Sequence, residues 1–90
     1  MDRMTKAKLQ ARLDWVNDAL GVPREPWVKT ENGLQSIDGV IVLDWACGGV
    51  RVCRIHGTGG AQSDLSPRGN MRQAAEYLDA MLQGIRLARA

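Results

Sequence analysis

Apolar residues recur at helical intervals over the first twenty positions. Leu9, Leu13, Val16 and Leu20 are spaced by four, three and four, which puts them on one face of a helix from about Lys6 to Leu20. Thr5 is of the type that caps a helix N-terminus, and Gly21 stands where a C-terminal glycine belongs. Asp14 and Asp18 fall near the end that the helix dipole disfavours for acids. The same periodicity returns late in the chain. Met71, Ala75, Leu78, Leu82 and Ile85, widened by Ala74 and Met81, predict a helix over 71–89. Ser66-Pro67 is one candidate start for it, with Pro at its first position, and Asn70 with Gln73, as a box-like cap, is the other. Gly84 weakens that helix by about 1 kcal/mol relative to Ala and suggests close packing against a neighbour.

Between the helices the period changes to two. Trp27–Thr30 reads as a short edge strand after Pro23 and Pro26, and Asn32-Gly33 as a tight turn into a second strand over 34–37. Asp38-Gly39 marks another turn or a bulge. Residues 40–45 are the clearest strand, apolar and β-branched, and Cys47-Gly48-Gly49 turns the chain into a partner strand over 50–56. Residues 57–70 are polar and glycine-rich and predict a long loop, of a length that is often functional or mobile. Residues 1–90 thus read as a single α+β domain: an N-terminal helix, an antiparallel meander of three to four strands, a long Gly-rich loop and a C-terminal helix.

The strand over 40–45 is apolar on both sides, with Val40 and Val42 on one and Ile41, Leu43 and Trp45 on the other. If both helices cover one face of the sheet, the other is exposed and apolar, and such faces mark interfaces. The expectation is a protein partner, or a homodimer through that apolar sheet face.

Composition narrows the classes. Of 90 residues, 44% are apolar and the aromatics are Trp15, Trp27, Trp45 and Tyr77; the net charge is +2. No apolar run approaches a membrane span, the start Met1-Asp2-Arg3-Met4-Thr5-Lys6 does not read as a signal peptide, and the chain is too apolar for a disordered tail. Two cysteines make no disulfide framework and are read as reduced thiols. The densest cations are Arg3, Lys6, Lys8 and Arg12, read first as a solvated helix face.

Candidate chemistry is thin. Cys53-x-x-His56 is half of a zinc site without the remaining ligands, and on a strand the two side chains point to opposite sides. Cys47 with His56 lacks an oxyanion-hole motif and an orienting third residue. Gly57-Thr58-Gly59-Gly60 is not followed by the Lys of a phosphate-binding loop. Glu76 and Asp79 read as surface ion-pairing groups on the last helix, near Arg72. No catalytic residue, metal ligand or cofactor is therefore expected, and the chain is read as a non-enzyme. Trp27 or Trp45, if exposed, is a hot-spot candidate.

One set of motifs extends over nearly the whole chain. It comprises the helix Thr5-Lys6-Ala7-Lys8-Leu9-Gln10-Ala11-Arg12-Leu13, then Glu25-Pro26-Trp27, Gly48-Gly49-Val50 with Arg54-Ile55, and Gly59-Gly60 with Ser63. Pro67-Arg68 and Leu78-Asp79-Ala80-Met81-Leu82-x-Gly84-Ile85 complete it. In this order the sequence resembles small proteins encoded in bacteriophages and prophages. The resemblance implies an accessory protein in the cytoplasm of a bacterial host. It implies binding to host machinery, including defence systems such as CRISPR effectors, and no mechanism.

The leading expectation is thus a non-enzymatic protein-interaction module with a host protein as partner. Its candidate partner-binding residues are Trp27, Ile41, Leu43 and Trp45, with Arg51, Arg54, Asp64 and Arg68. The first alternative is a nucleic-acid binder with phosphate contacts from Arg3, Lys6, Lys8, Arg12, Arg51, Arg54, Arg68 and Arg72. The second is a self-assembling structural component. No membrane partner is expected.

Overall fold

A computed structural model describes residues 3–90; Met1 and Asp2, part of the polar start read above, lie outside them. The fold is α+β. Helix α1 spans Lys6–Leu20, followed by strands β1 (Trp27–Thr30), β2 (Gly33–Ser36), β3 (Ile41–Ala46), β4 (Gly49–His56) and β5 (Ala61–Asp64), and helix α2 (Met71–Arg89). Both helices begin, and α1 ends, for reasons written in the chain. The Thr5 hydroxyl accepts from the Lys8 N–H at 3.2 Å, and Gly21 closes α1 in the left-handed region at φ 75°. Asn70 and Gln73 form the reciprocal capping box of α2, so Ser66-Pro67 does not start it.

The strands form two sheets rather than one meander. β1 and β2 are a separate antiparallel hairpin, while β3, β4 and β5 form an antiparallel sheet in that order. The predicted loop over 57–70 is corrected here. Only 57–60 is a turn; Ala61–Asp64 pairs with β4, and the chain stays on that edge through Leu65 N–H to Val52 C=O and the reciprocal Val50–Gly69 bonds. Every residue of the Ala-Gln-Ser-Asp strand is exposed, so its pairing is a backbone property with no apolar alternation to announce it.

Both helices lie on one face of the three-stranded sheet. Leu9, Leu13 and Val16 of α1, Ala74, Ala75, Leu78 and Leu82 of α2, and Ile41, Val50 and Val52 of the sheet form the core. α1 and α2 run parallel. Arg12 pairs with Asp79, while further along both helices in the same direction Arg89 reaches the Ala19 carbonyl. Both helix N-termini therefore sit at the same end of the molecule. Gly84 does not serve close packing: a Cβ there would meet nothing within 4 Å.

The second sheet face is not the exposed apolar surface expected from the sequence. At one end Val40, Cys53 and Ile55 are buried, apart from the main core. There the β1–β2 hairpin is tied on by Ser36, whose N–H donates to Thr58 C=O at 3.0 Å and whose hydroxyl accepts from Gly60 N–H at 2.8 Å. The other end is charged. Asp44 and Arg51 are cross-strand partners on β3 and β4, and Asp64 stands beside Cys53 from β5.

Candidate interaction site

β3 is an edge strand, and the direction of its free backbone groups follows from one side chain. Asn17 of α1 is fully buried; its amide donates to the Ile41 carbonyl at 3.0 Å and its carbonyl oxygen accepts from the Ile41 N–H at 2.8 Å. The Ile41 backbone thus faces away from β4. The period-two alternation turns the N–H and C=O of Leu43 and Trp45 the same way. Among the described residues none bonds them. They open into a groove of about 210 Å³ lined by Gln10, Leu13, Arg24, Pro26, Leu43 and Trp45, among others. Trp45 is 45% exposed, with the Lys6 ammonium 5.2 Å from its ring centroid. From Ile41 to Ala46 this edge carries no Pro, Lys or bulge, the usual devices that prevent a further strand from pairing.

Behind the strand, the charged half of the second face locks its outer end. Arg68 donates through Nη2 to Asp44 Oδ2 at 2.7 Å and through Nη1 to the carbonyls of Asp44 and Gly49 at 2.9 and 3.1 Å. Arg51 binds Asp44 at 2.9 Å and Asp64 at 3.0 Å. The hydrogen bond from Arg68, joined by the charges of Arg68 and Arg51, holds the Asp44 carboxyl below its ordinary value against the pull of desolvation. Burial pushes the Cys53 thiol up, helped by its hydrogen bond to Asp64, so this cysteine is not an activated nucleophile.

A carboxyl depressed in the folded state adds stability that is complete above its unfolded-state value and is lost as pH falls through the lower folded value. The protein is expected to lose stability on acidification below about pH 4, and Asp44→Asn to flatten that loss. Asp18, lowered by its hydrogen bond to Arg24, keeps its own share in the variant. Urea titrations of both proteins at neutral and acid pH check this; equal acid sensitivity would remove Asp44 from the account.

The eight candidate partner-binding residues are divided among several places. Trp45 and Leu43 belong to the edge groove, with Leu43 half-buried against the core. Ile41 is a core residue, 2% exposed, and is corrected as a contact because the helices cover its side of the sheet. Arg51, Asp64 and Arg68 are engaged in the ion-pair network. Arg54 is exposed on the helix-side face, beside a different groove that includes Leu20, Val22 and Met81. Trp27 is half-exposed on β1, its ring against Gly60. Asn17 and Trp15 were not anticipated. Asn17 sits four residues after Leu13 on the apolar stripe, a polar residue where a core residue belongs, and that was its signal. Trp15 is half-exposed between the helices, beside Asp79 and Arg86.

Cys47 is exposed, Cys53 is buried, and neither is in a disulfide. Among the described residues, no three His, Cys, Asp or Glu side chains group as a metal site, and no helix is long and apolar enough to cross a membrane. Comparison of the chain with protein-family models, curated proteins and solved structures finds no match in any of the three.

Proposed function

We propose that this chain is a non-enzymatic protein-interaction module whose partner adds a strand to the outer edge of β3. The observation that carries the reading is the outward-facing backbone of Leu43 and Trp45, lying in a groove beside a half-exposed tryptophan. Strand addition takes its affinity from main-chain hydrogen bonds and its selectivity from side-chain pockets that flank them. Trp45 is the anchor: tryptophans at the centre of a contact dominate binding energy. Asn17 sets the limit of the site by occupying the edge at Ile41. The sequence resemblance to small phage-encoded proteins supports a bacterial host protein as the partner and an accessory role, such as inhibition of a defence system.

The test is capture from a bacterial host by the tagged chain after nuclease treatment and a high-salt wash. A defined protein is expected at near-stoichiometric amounts. Trp45→Lys, which places a charge on the edge without touching the core, reduces its capture at least ~10-fold, and Trp15→Ala leaves it unchanged. Retention by Trp45→Lys, or loss with Trp15→Ala alone, contradicts the reading. Recovery of the chain by itself, in a concentration-dependent oligomer, replaces it with self-assembly.

A further inference from the structure

We propose that the groove between the N-terminal halves of α1 and α2 binds the phosphodiester backbone of nucleic acid. It is separate from the β3 edge. Arg3, Lys8, Arg12 and Arg72 line it with Met4 around about 320 Å³ of open volume. Two of these cations are tied in place: Lys8 Nζ donates to the Arg3 carbonyl at 3.2 Å, and Arg12 donates to the Lys8 carbonyl and to Asp79, each at 3.3 Å. Because the helices are parallel, the positive ends of both dipoles meet at this end, and neither helix has an acidic residue in its first turn. Over the first thirteen residues Asp2 is the single carboxylate against Arg3, Lys6, Lys8 and Arg12.

The fold thus sorts the cations that the sequence leaves dispersed. Arg24, Arg51 and Arg68 lie with Asp18, Asp44 and Asp64 elsewhere on the fold, while Arg3, Lys8, Arg12 and Arg72 converge on one groove, with Asp79 beside Arg12 at its edge. A phosphodiester chain carries a charge about every 3.4 Å along each strand, a density that an acidic peptide reaches only in an unbroken Asp/Glu run. No aromatic side chain lines the groove, so no base is stacked or read there. The site grips the backbone independently of sequence.

Fluorescence anisotropy with a labelled mixed-sequence DNA duplex of about 20 base pairs tests it. Two or so neutralised phosphates weaken binding about tenfold between roughly 50 and 200 mM salt. At the lower salt, Lys8→Gln/Arg72→Gln weakens binding by a further factor of about ten. Lys29→Gln/Arg54→Gln removes the same net charge from exposed residues elsewhere and changes affinity less than about twofold. Circular dichroism confirms that both variants are folded. Absence of binding at the lower salt overturns the proposal. Equal loss in the two double variants does so too, since net charge alone then explains the binding. Competition by poly-glutamate as effective as by unlabelled duplex overturns it in favour of an acidic protein partner.

Discussion

Gly49→Ala is expected to destabilise the protein by about 4 kcal/mol. Gly49 opens β4 at φ 126°, a region that side chains rarely adopt. A Cβ there would stand 2.1 Å from the Gly69 carbonyl oxygen, a backbone atom with no rotamer to yield. That oxygen accepts the Val50 N–H at 2.8 Å, and the Gly69 N–H returns a bond to the Val50 carbonyl at 2.9 Å. Forcing Gly69 away breaks both bonds and shifts Arg68, its neighbour, which holds the outer end of β3 through Asp44. Urea unfolding measures the loss. With a slope of about 1 kcal/mol per molar for a domain of this size, the midpoint falls by several molar, and the variant is largely unfolded. Gly59→Ala is the matched control, because a Cβ at Gly59 meets nothing within 4 Å. A Gly49→Ala protein as stable as the Gly59→Ala protein would mean that β4 and the 65–69 segment are not packed as described.

Asn17→Leu comes next, at about 3 kcal/mol. Leucine has as many side-chain heavy atoms as asparagine and a larger volume, so it leaves no cavity, and the cost reports the lost hydrogen bonds together with some overpacking. The substitution leaves the Ile41 N–H and C=O without partners at a buried position, each an unsatisfied group costing about 1–3 kcal/mol. The melting temperature is expected to fall by roughly 15 °C, taking about 5 °C per kcal/mol for a domain of this size. Calorimetry checks it, and a shift within a few degrees would show that water or a small movement of β3 replaces the Asn17 contacts. Asn17 also links stability to the proposed site. It imitates a neighbouring strand at one residue pair and leaves the next two outward positions, Leu43 and Trp45, for a real one.

The helices and the central hairpin were readable from the chain because their signals are local. The stripes through Leu13 and Leu78, the Thr5 cap and the Asn70–Gln73 box each lie within a few residues of what they determine. β5 was not readable: Ala-Gln-Ser-Asp pairs through its backbone and buries no side chain. The charged second face was hidden for another reason. Val40 and Val42 made that side of β3 look apolar, whereas its far end belongs to Asp44. Arg68 reaches that residue from 24 positions away. Trp45 could be named as a hot spot from its type, but its exposure depends on how far α1 reaches along β3. The gathering of Arg3, Lys8, Arg12 and Arg72 needs the parallel helix packing, which no short window of sequence contains.

The central claim concerns two backbone amides, and residue-resolved amide hydrogen exchange addresses them directly. In the free chain, Val42 and Asp44, which face β4, are expected to exchange slowly, and Leu43 and Trp45, which face the groove, quickly. With the captured partner bound, Leu43 and Trp45 become protected while the alternation of their neighbours is unchanged. Fast exchange at Leu43 and Trp45 in the complex, with protection appearing on another surface instead, would contradict strand addition at β3.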